Sequence, residues 1–430
     1  MIRLVSSIFL VFHIEVLSTA LAQADDGTHL DVSYSYGSNQ LLPSLLTNSS
    51  LDLDRDKLFS DLWIQGGFKL SENLTFEGAL ELTDQPHELI GTKFSRQDYP
   101  LSTGRFQKSV VQYKTDRLAV QVGRADMLSD RLRPNVFQLP ASGDGFAWNY
   151  RWNRWGFKHV FQVLPAEKYE DQIFRRSLSY HHLSRKFNNL TVGAGEYFIL
   201  TGKQIGLDLK RLNPFLPYSL NSHDSQADYY PGFSGDSDNS LIKLFFDWQT
   251  NTSKVSVNLY IDELQIDAVD REVFSDALLL SFSAVNEINA FGQRTILNWA
   301  VSTANPNFGQ HPGPFTTTTI GLFPLFEYTP GMKNLVYFDA TMFVDRNYQL
   351  TIAGYSENWV NISQLAPYQM NLIAELDQLE VHSDSRLSLR ATYRLDQYPL
   401  NIGIIGWIGS ETENAGGGKI FVQYTLGLKP

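Results

Sequence analysis

The sequence predicts an all-β fold: a transmembrane antiparallel β-barrel of 18 strands, or 20 if every alternating segment, the first one or two at the N-terminus included, is a stave, with long extracellular loops. Three observations carry this expectation. Apolar residues recur with period two along most of the chain. The alternating segments run longer than ordinary globular strands. The connections between them sort into a short set and a long set. A strand of about 9–11 residues crosses a bilayer when tilted, and in lipid such strands must close into a barrel, because no water satisfies an open edge.

The elements follow in chain order. The first 26 of 430 residues read MIRLVSSIFLVFHIEVLSTALAQADD. Arg3 is a short basic region, Val5 to Leu17 is mostly apolar, and Ala20-Leu21-Ala22 and Ala22-Gln23-Ala24 are small-residue cleavage candidates. That is the pattern of an export signal, although His13 and Glu15 interrupt its apolar core. Residues 1–24 are therefore expected to be a cleaved signal peptide, cut after Ala22 or Ala24, and residues 25–430 the barrel domain. Beyond this segment no run of about 18 apolar residues occurs, so the chain does not read as a helical membrane protein.

Alternation is clearest in 254–264, where Val255, Val257, Leu259 and Ile261 oppose Ser256, Asn258, Tyr260 and Asp262. In 386–394, Leu387, Leu389, Ala391 and Tyr393 oppose Arg386, Ser388, Arg390, Thr392 and Arg394. In 418–428, Ile420, Val422, Tyr424, Leu426 and Leu428 share a face. Side chains on a strand alternate sides, so each segment has one apolar and one polar face. The full set of expected strands is 29–37, 60–70, 74–84, 106–114, 118–124, 144–152, 155–163, 175–186, 190–200, 240–250, 254–264, 276–287, 293–303, 318–329, 334–344, 348–358, 369–381, 385–395, 400–409 and 418–428. If the first starts at the periplasm, one side collects short connections at Ser71–Asn73, Thr115–Arg117, Asn153–Arg154, Phe187–Asn189, Asn251–Ser253, Pro330–Lys333 and Asp396–Pro399, the longest being 359–368. The other collects 38–59, 85–105, 125–143, 201–239 and 304–317. Short turns on one side and long loops on the other is the outer-membrane pattern. A soluble multi-sheet protein is the plainer alternative, and it gives no reason for this segregation.

Composition narrows the function. Lys and Arg number 35 against 46 Asp and Glu, a net charge of -11, which argues against nucleic-acid binding. Cysteine is absent, which removes disulfides, cysteine-ligated zinc and thiol nucleophiles. Aromatics reach 13%, in keeping with many half-buried strands. Charge is uneven: residues 105–186 hold 15 Lys and Arg against 7 Asp and Glu. Arg124, Arg131, Arg133, Arg151, Arg154, Arg175 and Arg176 dominate this basic sector, whose field suits an anion. Arginine forks match carboxylates and phosphates at two points. Lumen charges that solvate one another, or contacts to lipid phosphates, explain the sector as well.

Catalytic motifs are missing. Neither G-x-S-x-G, H-E-x-x-H nor a P-loop occurs, so no catalytic residue, metal ligand or cofactor is expected. His181 and His182 are adjacent and face opposite sides of a strand. Asp236-Ser237-Asp238-Asn239 has the oxygen density of a calcium loop without its glycine or distal glutamate. Five N-x-[ST] triplets, at Asn48, Asn73, Asn189, Asn251 and Asn361, are no more than a polar chain of this length produces by chance. Sugar binding needs flat aromatic faces beside planar polar groups. The segment 201–239 offers these, and Trp148, Trp152 and Trp155 border the basic sector. For Trp155 and Trp248 a membrane-interface girdle is the better reading.

The segment 178–266 carries a resemblance. Gly193 to Glu196 forms a G-x-x-E at a strand end, and Asn213 to Tyr218 an N-P-F-x-P-Y-like loop. Asp238 to Ile242 forms a D-N-x-L-I strand entry closed by Asp247 to Gln249, and Leu259 to Asp267 an L-Y-x-(D/E)-E-L-x-x-D segment. Gln121-Val122-Gly123-Arg124 looks like a V-G-R strand end. This order of motifs resembles the Wzi family of capsule-assembly outer-membrane proteins. The resemblance implies an 18-stranded barrel, plugged rather than open. It implies a lectin-like role, without catalysis, in assembling or anchoring capsular or related exopolysaccharide at the surface of a Gram-negative bacterium. Three features depart from the family. Its glycine-rich stretch after V-G-R is replaced by ADMLSDRLRPNVFQLPASGDG, no helical segments for a periplasmic bundle are evident, and the chain ends LGLKP rather than on an aromatic residue.

The polysaccharide contacts expected on this reading are Tyr218, Asp228, Tyr229, Tyr230, Asp236, Asp238, Asn239, Arg131 and Arg133. The expected partners are the polysaccharide, outer-membrane lipid and the polysaccharide export machinery, with the chain as a monomer. Two other classes stay open: a porin for anionic solutes or exported acidic polysaccharide, and a surface polysaccharide hydrolase or lyase. Conductance would separate the first from a lectin, and product release the second.

Overall fold

The computed structural model describes residues 29–38, 58–83, 94–95, 103–125, 127, 143–169, 172–202, 238–263, 277–308, 319–320, 323–324, 331–360, 376–395, 400–409 and 416–427. Eighteen long strands form one antiparallel ring. They are β1 (His29–Ser38), β2 (Leu58–Ser71), β3 (Leu74–Thr83), β4 (Thr103–Lys114), β5 (Leu118–Ala125) and β6 (Gly143–Trp152). Then follow β7 (Trp155–Tyr169), β8 (Gln172–Phe187), β9 (Leu190–Gly202), β10 (Asp238–Gln249), β11 (Ser253–Glu263) and β12 (Ala277–Ala290). The last six are β13 (Gln293–Ala304), β14 (Met332–Phe343), β15 (Tyr348–Val360), β16 (Val381–Leu395), β17 (Leu400–Gly409) and β18 (Gly416–Gly427). Each stave pairs with its neighbours in sequence, and β1 pairs with β18 from His29↔Gly427 to Gly37↔Lys419, which closes the ring. A two-residue strand, Phe94–Ser95, adds to the edge of β4.

Eighteen of the twenty expected strands are staves. The other two are not. In 318–329, Thr319–Ile320 pairs only with Phe323–Pro324 in a separate hairpin. In 369–381, Leu376 to Glu380 is a turn that leads into β16. Removing 318–329 from the ring reverses the direction expected for 334–344 and 348–358. The connection 344–347 therefore belongs to the short side, and 330–333 and 359–368 to the long one. Alternation alone does not distinguish a stave from a short extended piece, because both place apolar residues two apart.

Short turns close β2–β3, β4–β5, β6–β7, β8–β9, β10–β11, β12–β13, β14–β15 and β16–β17 at one end of the barrel. Several need left-handed backbone: Asn153 (φ 53) and Asn188 (φ 52) supply it with a residue type that tolerates it, while Phe291 (φ 55) precedes Gly292 (φ 77) in a two-residue hairpin. β1 starts and β18 finishes at this same end.

The two faces of the wall differ as the alternation requires. One face carries Val122, Ile242, Leu244, Phe246, Leu280, Val301, Val336, Phe338, Ile352, Leu387, Leu389 and Ile404, all substantially exposed and as much as 59% for Ile404. This is the outer face. Near the short turns it gains Phe68, Phe76, Tyr113, Tyr150, Trp152, Trp155, Phe187, Trp248, Tyr348 and Tyr393. Trp152 stacks on Trp155 at 6.4 Å, Tyr348 packs on Tyr393 at 4.6 Å, and the Arg185 guanidinium lies over the Trp155 and Phe187 rings. An apolar band edged by aromatics is the lipid-facing surface of a membrane barrel. Trp155 and Trp248 thus sit in the girdle, as do Trp152 and Tyr150. Among the described residues no helix is long and apolar enough to cross a membrane.

Candidate functional site

The lumen wall over β6 to β11 is built in layers, and the strand register fixes them. Toward the long-loop end runs the row Ala147, Val160, Tyr180, Tyr197 and Leu241. It joins Leu164, Leu178, Ile199, Tyr260, Leu279, Phe308 and Leu335 in one apolar cluster. Val160, Leu178, Tyr180, Ile199, Leu241 and Leu279 are all 0% exposed. Burying an aliphatic side chain fully is worth about 1.5–3 kcal/mol, so this level of the wall is a packed apolar core.

One step toward the short turns the chemistry changes. The next row is Asn149, Lys158, His182, Gly195, Lys243 and Tyr260. Tyr180 Oη and His182 Nδ1 share a hydrogen bond of 2.6 Å, and Tyr180 stacks on Tyr197 at 4.0 Å. Lys158 Nζ lies 6.0 Å from the Tyr180 ring centre, and Lys243 Nζ lies 5.3 Å from that of Tyr260 and 5.4 Å from that of Phe245. Such contacts let an ammonium sit against a ring face while keeping its charge.

Below this row come Arg151, Gly156, Ser184, Gly193, Phe245 and Asn258, and below these Lys186, Thr191, Asp247 and Ser256. The glycines are needed for close approach. A Cβ on Gly193 would stand 2.3 Å from Phe245 Cζ, and one on Gly195 2.7 Å from the His181 carbonyl oxygen and 3.0 Å from Tyr180 Cε2. Their absence lets Phe245 and Tyr180 lie flat on β9. Asp247 accepts a hydrogen bond from Ser256 Oγ. Elsewhere on the lumen wall Asp339 accepts from Asn298 Nδ2 at 2.7 Å and Tyr337 Oη at 2.8 Å, and Lys108 pairs with Glu77.

The expected motifs fall into this frame unevenly. Gly193 of the G-x-x-E faces the lumen, while Glu196 faces outward beside His181, with 3.6 Å between carboxylate and imidazole. His181 and His182 do face opposite sides: His181 pairs with His159 and Glu196, His182 with Lys158 and Gly195. Gly123 of the V-G-R strand end has φ 126 and packs on β4, where a Cβ would meet Ser109 O at 2.2 Å. Asp238 and Asn239 open β10 and pair with Leu200 and Ile199. Tyr218, Asp228, Tyr229, Tyr230, Asp236, Arg131 and Arg133 lie outside the described residues, as does the N-P-F-x-P-Y segment.

The basic sector divides. Arg124 faces outward and binds Asp144 at two points, one of them 2.8 Å. Arg154 lies in a turn, Arg185 in the girdle, and Arg176 is buried in the lumen wall. The cations that line the open half of the lumen are instead Lys114, Arg151, Lys158, Lys186, Lys243 and Lys254. Lys114, Arg151, Lys158 and Lys186 fall within the basic excess of residues 105–186, and Lys243 and Lys254 lie outside it. Their common face emerges only from register, since β7 and β8 alternate poorly: His159 and Phe161 face out while Val160 and Leu178 face in.

No protein-family model matches the chain, and no curated protein matches it in sequence. Among solved structures it is similar to Wzi, an outer membrane protein involved in group 1 capsule assembly in Escherichia coli and a carbohydrate-binding β-barrel. The identity is 9%, with 95% of this chain and 86% of that chain covered and a TM-score of 0.52. It is also similar to OprD of Pseudomonas aeruginosa (12% identity, 94% and 97% covered, TM-score 0.49) and to OpdK of the same organism (9%, 93% and 98%, TM-score 0.47). At 9% identity the likeness to Wzi shows the fold alone, a transmembrane antiparallel β-barrel of the outer-membrane type.

Proposed function

We propose that the chain is an outer-membrane, Wzi-like protein that binds capsular or extracellular polysaccharide and helps anchor or assemble it at the cell surface. The observation that carries this reading is the buried apolar level of the lumen wall: Val160, Leu178, Ile199, Leu241 and Leu279 are each wholly covered, which suits a plugged barrel that holds a ligand rather than one that conducts it. The likeness to a carbohydrate-binding barrel over 95% of the chain supports it, as does the order of the four motifs in 178–266. In this reading the long loops face outward, the short turns and both ends of the ring face the periplasm, and residues 1–24 direct export and are removed. Tyr218, Asp228, Tyr229, Tyr230, Asp236, Asp238, Asn239, Arg131 and Arg133 form the outer contact surface. The protein acts as a monomer without cofactor or catalysis and meets the export machinery at the membrane.

The test is retention of purified, detergent-folded protein on immobilised acidic and neutral capsular polysaccharides. Saturable binding that weakens when Tyr229, Tyr230 and Asp228 are replaced supports the reading; no retention on any polymer removes it. One observation favours a second reading, a porin for anionic solutes: the short-turn half of the lumen is lined by lysine and arginine. Conductance in planar bilayers decides between them, since a closed lumen passes no steady current.

A further inference from the structure

Three arginines at the short-turn end of β5 to β8 are placed unlike the other arginines of the wall. Arg185 faces outward, two residues before β8 ends at Phe187. It is exposed, and its guanidinium lies 5.1 Å from the Trp155 ring centre and 4.9 Å from that of Phe187. Trp155 is its cross-strand partner on β7, and Trp152 stacks on Trp155 in turn. The two rings hold the guanidinium within the aromatic girdle, the level at which an apolar band meets lipid headgroups. Among the described residues no carboxylate reaches it. Glu196 shares its face but stands further along β9, beyond the Val192 that pairs with Arg185, and meets His181. Arg124 and Arg294 are different. Arg124 binds Asp144 at two points. Arg294 also lies over a ring, that of Phe343 at 5.1 Å, but donates to Glu287 at 2.8 and 3.0 Å. Arg117 and Arg154 lie in the turns before β5 and β7, both exposed and, among the described residues, both without a carboxylate. Their carbonyls accept from the Arg151 N–H at 2.8 Å and the Lys186 N–H at 2.7 Å, which ties the two turns side by side to β6 and β8.

A guanidinium at a membrane interface calls for an anion, and among the described residues the protein supplies none to Arg185. The surroundings of the outer wall at this level are lipid headgroups, whose phosphodiesters match a guanidinium at two points. Each basic side chain near a membrane surface favours anionic lipid by about fivefold. We propose that Arg185, with Arg117 and Arg154 on the rim beside it, forms a site for the headgroup of an anionic phospholipid in the leaflet at the short-turn end. Arg185 receives the phosphodiester, held in place by Trp155 and Phe187. Trp152 and Trp155 lie against the glycerol and the upper acyl chain, and the two turn arginines draw in the net negative charge of the headgroup. The site is on the outside of the barrel, so it goes beyond the polysaccharide reading and does not depend on what the loops or the lumen bind.

The experiment is native mass spectrometry of the detergent-folded full chain titrated with phosphatidylglycerol and, separately, with zwitterionic phosphatidylcholine. The quantity read is the ratio of the two affinities for the first lipid bound. The expected result is a preference for phosphatidylglycerol of roughly tenfold that shrinks as salt is raised. In Arg154→Gln/Arg185→Gln the preference should all but vanish. Arg185→Lys, which keeps the charge without the fork, should retain part of it. Arg124→Gln removes an outward arginine that already has its carboxylate and should leave the preference as it is. Heat-dependent mobility in gels verifies that each variant is a folded barrel. If the double variant does not fold, Arg185→Gln alone is read, with an expected loss of about fivefold. Equal affinity of the wild type for the two lipids, or an undiminished preference without Arg185, overturns the site. An equal loss in Arg124→Gln overturns it as well, since the preference would then follow overall charge. Displacement of the lipid by glycerol 3-phosphate would assign the arginines to a soluble phosphate ester and overturn the lipid site too.

Discussion

β8 and β10 stand one stave apart and present opposite solutions to the same surface. The outer face of β10 is Ile242, Leu244, Phe246 and Trp248, open and apolar to the girdle. The outer face of β8 includes Ser177, Ser179 and His181. A single row of strand partners crosses both: Trp148, His159, His181, Glu196 and Ile242. Three ionisable residues therefore sit on the membrane side of the wall, level with an exposed isoleucine. They differ from it in being covered. His159 is 0% exposed and Glu196 7%. The Phe146 and Trp148 rings stand 5.8 and 6.2 Å from the His159 ring, and Phe157 lies 6.5 Å from that of His181. The lipid face tolerates polar groups where aromatics screen them, even at His159, whose ring nitrogens have no hydrogen-bond partner among the described residues, and it excludes them where no screen is present.

The comparison breaks most sharply at Ile242. A lysine there would have no screen, and Ile242→Lys should cost about 2–4 kcal/mol near the bilayer midplane, read as a lowered denaturant midpoint in lipid vesicles. Placing bulk between the two staves comes next. Gly195→Val would drive a side chain into His182 and Tyr180 and should cost about 1–3 kcal/mol by overpacking, with loss of the tyrosine near-UV dichroism as its signature. Breaking the covered pair is smaller. Glu196→Leu leaves His181 without its carboxylate and should destabilise by about 1–3 kcal/mol. His181→Leu/Glu196→Leu should recover most of that loss, because a covered polar pair replaced on both sides by apolar groups is often nearly neutral. A double variant no better than the single would show that the pair is not what makes the β8 face tolerable. Smallest is Lys186→Gln on the lumen side, expected within about 0.5 kcal/mol of wild type, so that any change in ligand affinity there reports on binding and not on folding.

How much of this was legible in the sequence follows from the same two staves. The alternation of β11 and β16 was plain, and the structure turns their apolar faces outward. In β8, SLSYHHLSRKF has polar and apolar residues on both sides, so its faces could not be assigned from period two. The buried apolar level of the lumen wall was hidden for the same reason: Leu178, Ile199 and Leu241 lie on faces they share with Lys186, Thr191, Lys243 and Asp247. The two surplus strands arose because alternation is local, whereas membership of the ring depends on pairing partners distant in sequence. The site was legible only as a charge excess between residues 105 and 186. Which cations share a wall is a matter of register, and register placed Arg124 and Arg185 outside while gathering Lys158, Lys186 and Lys243 within.

The pairing of β1 with β18 bears on how the molecule comes into being. His29 lies opposite Gly427, so almost the entire chain separates the two halves of that seam. Every other pairing in the ring joins neighbours in sequence and can form as a hairpin or simple extension. The seam alone must wait until both termini exist, and its loop-closure entropy is the largest in the fold. Until it forms, two long edges stand unpaired in a medium that cannot hydrate them. Assembly is thus expected to be slow and late-committing, with stepwise growth of a sheet followed by one closing event. A cell that makes this protein needs a catalyst that shelters open strand edges until that event occurs.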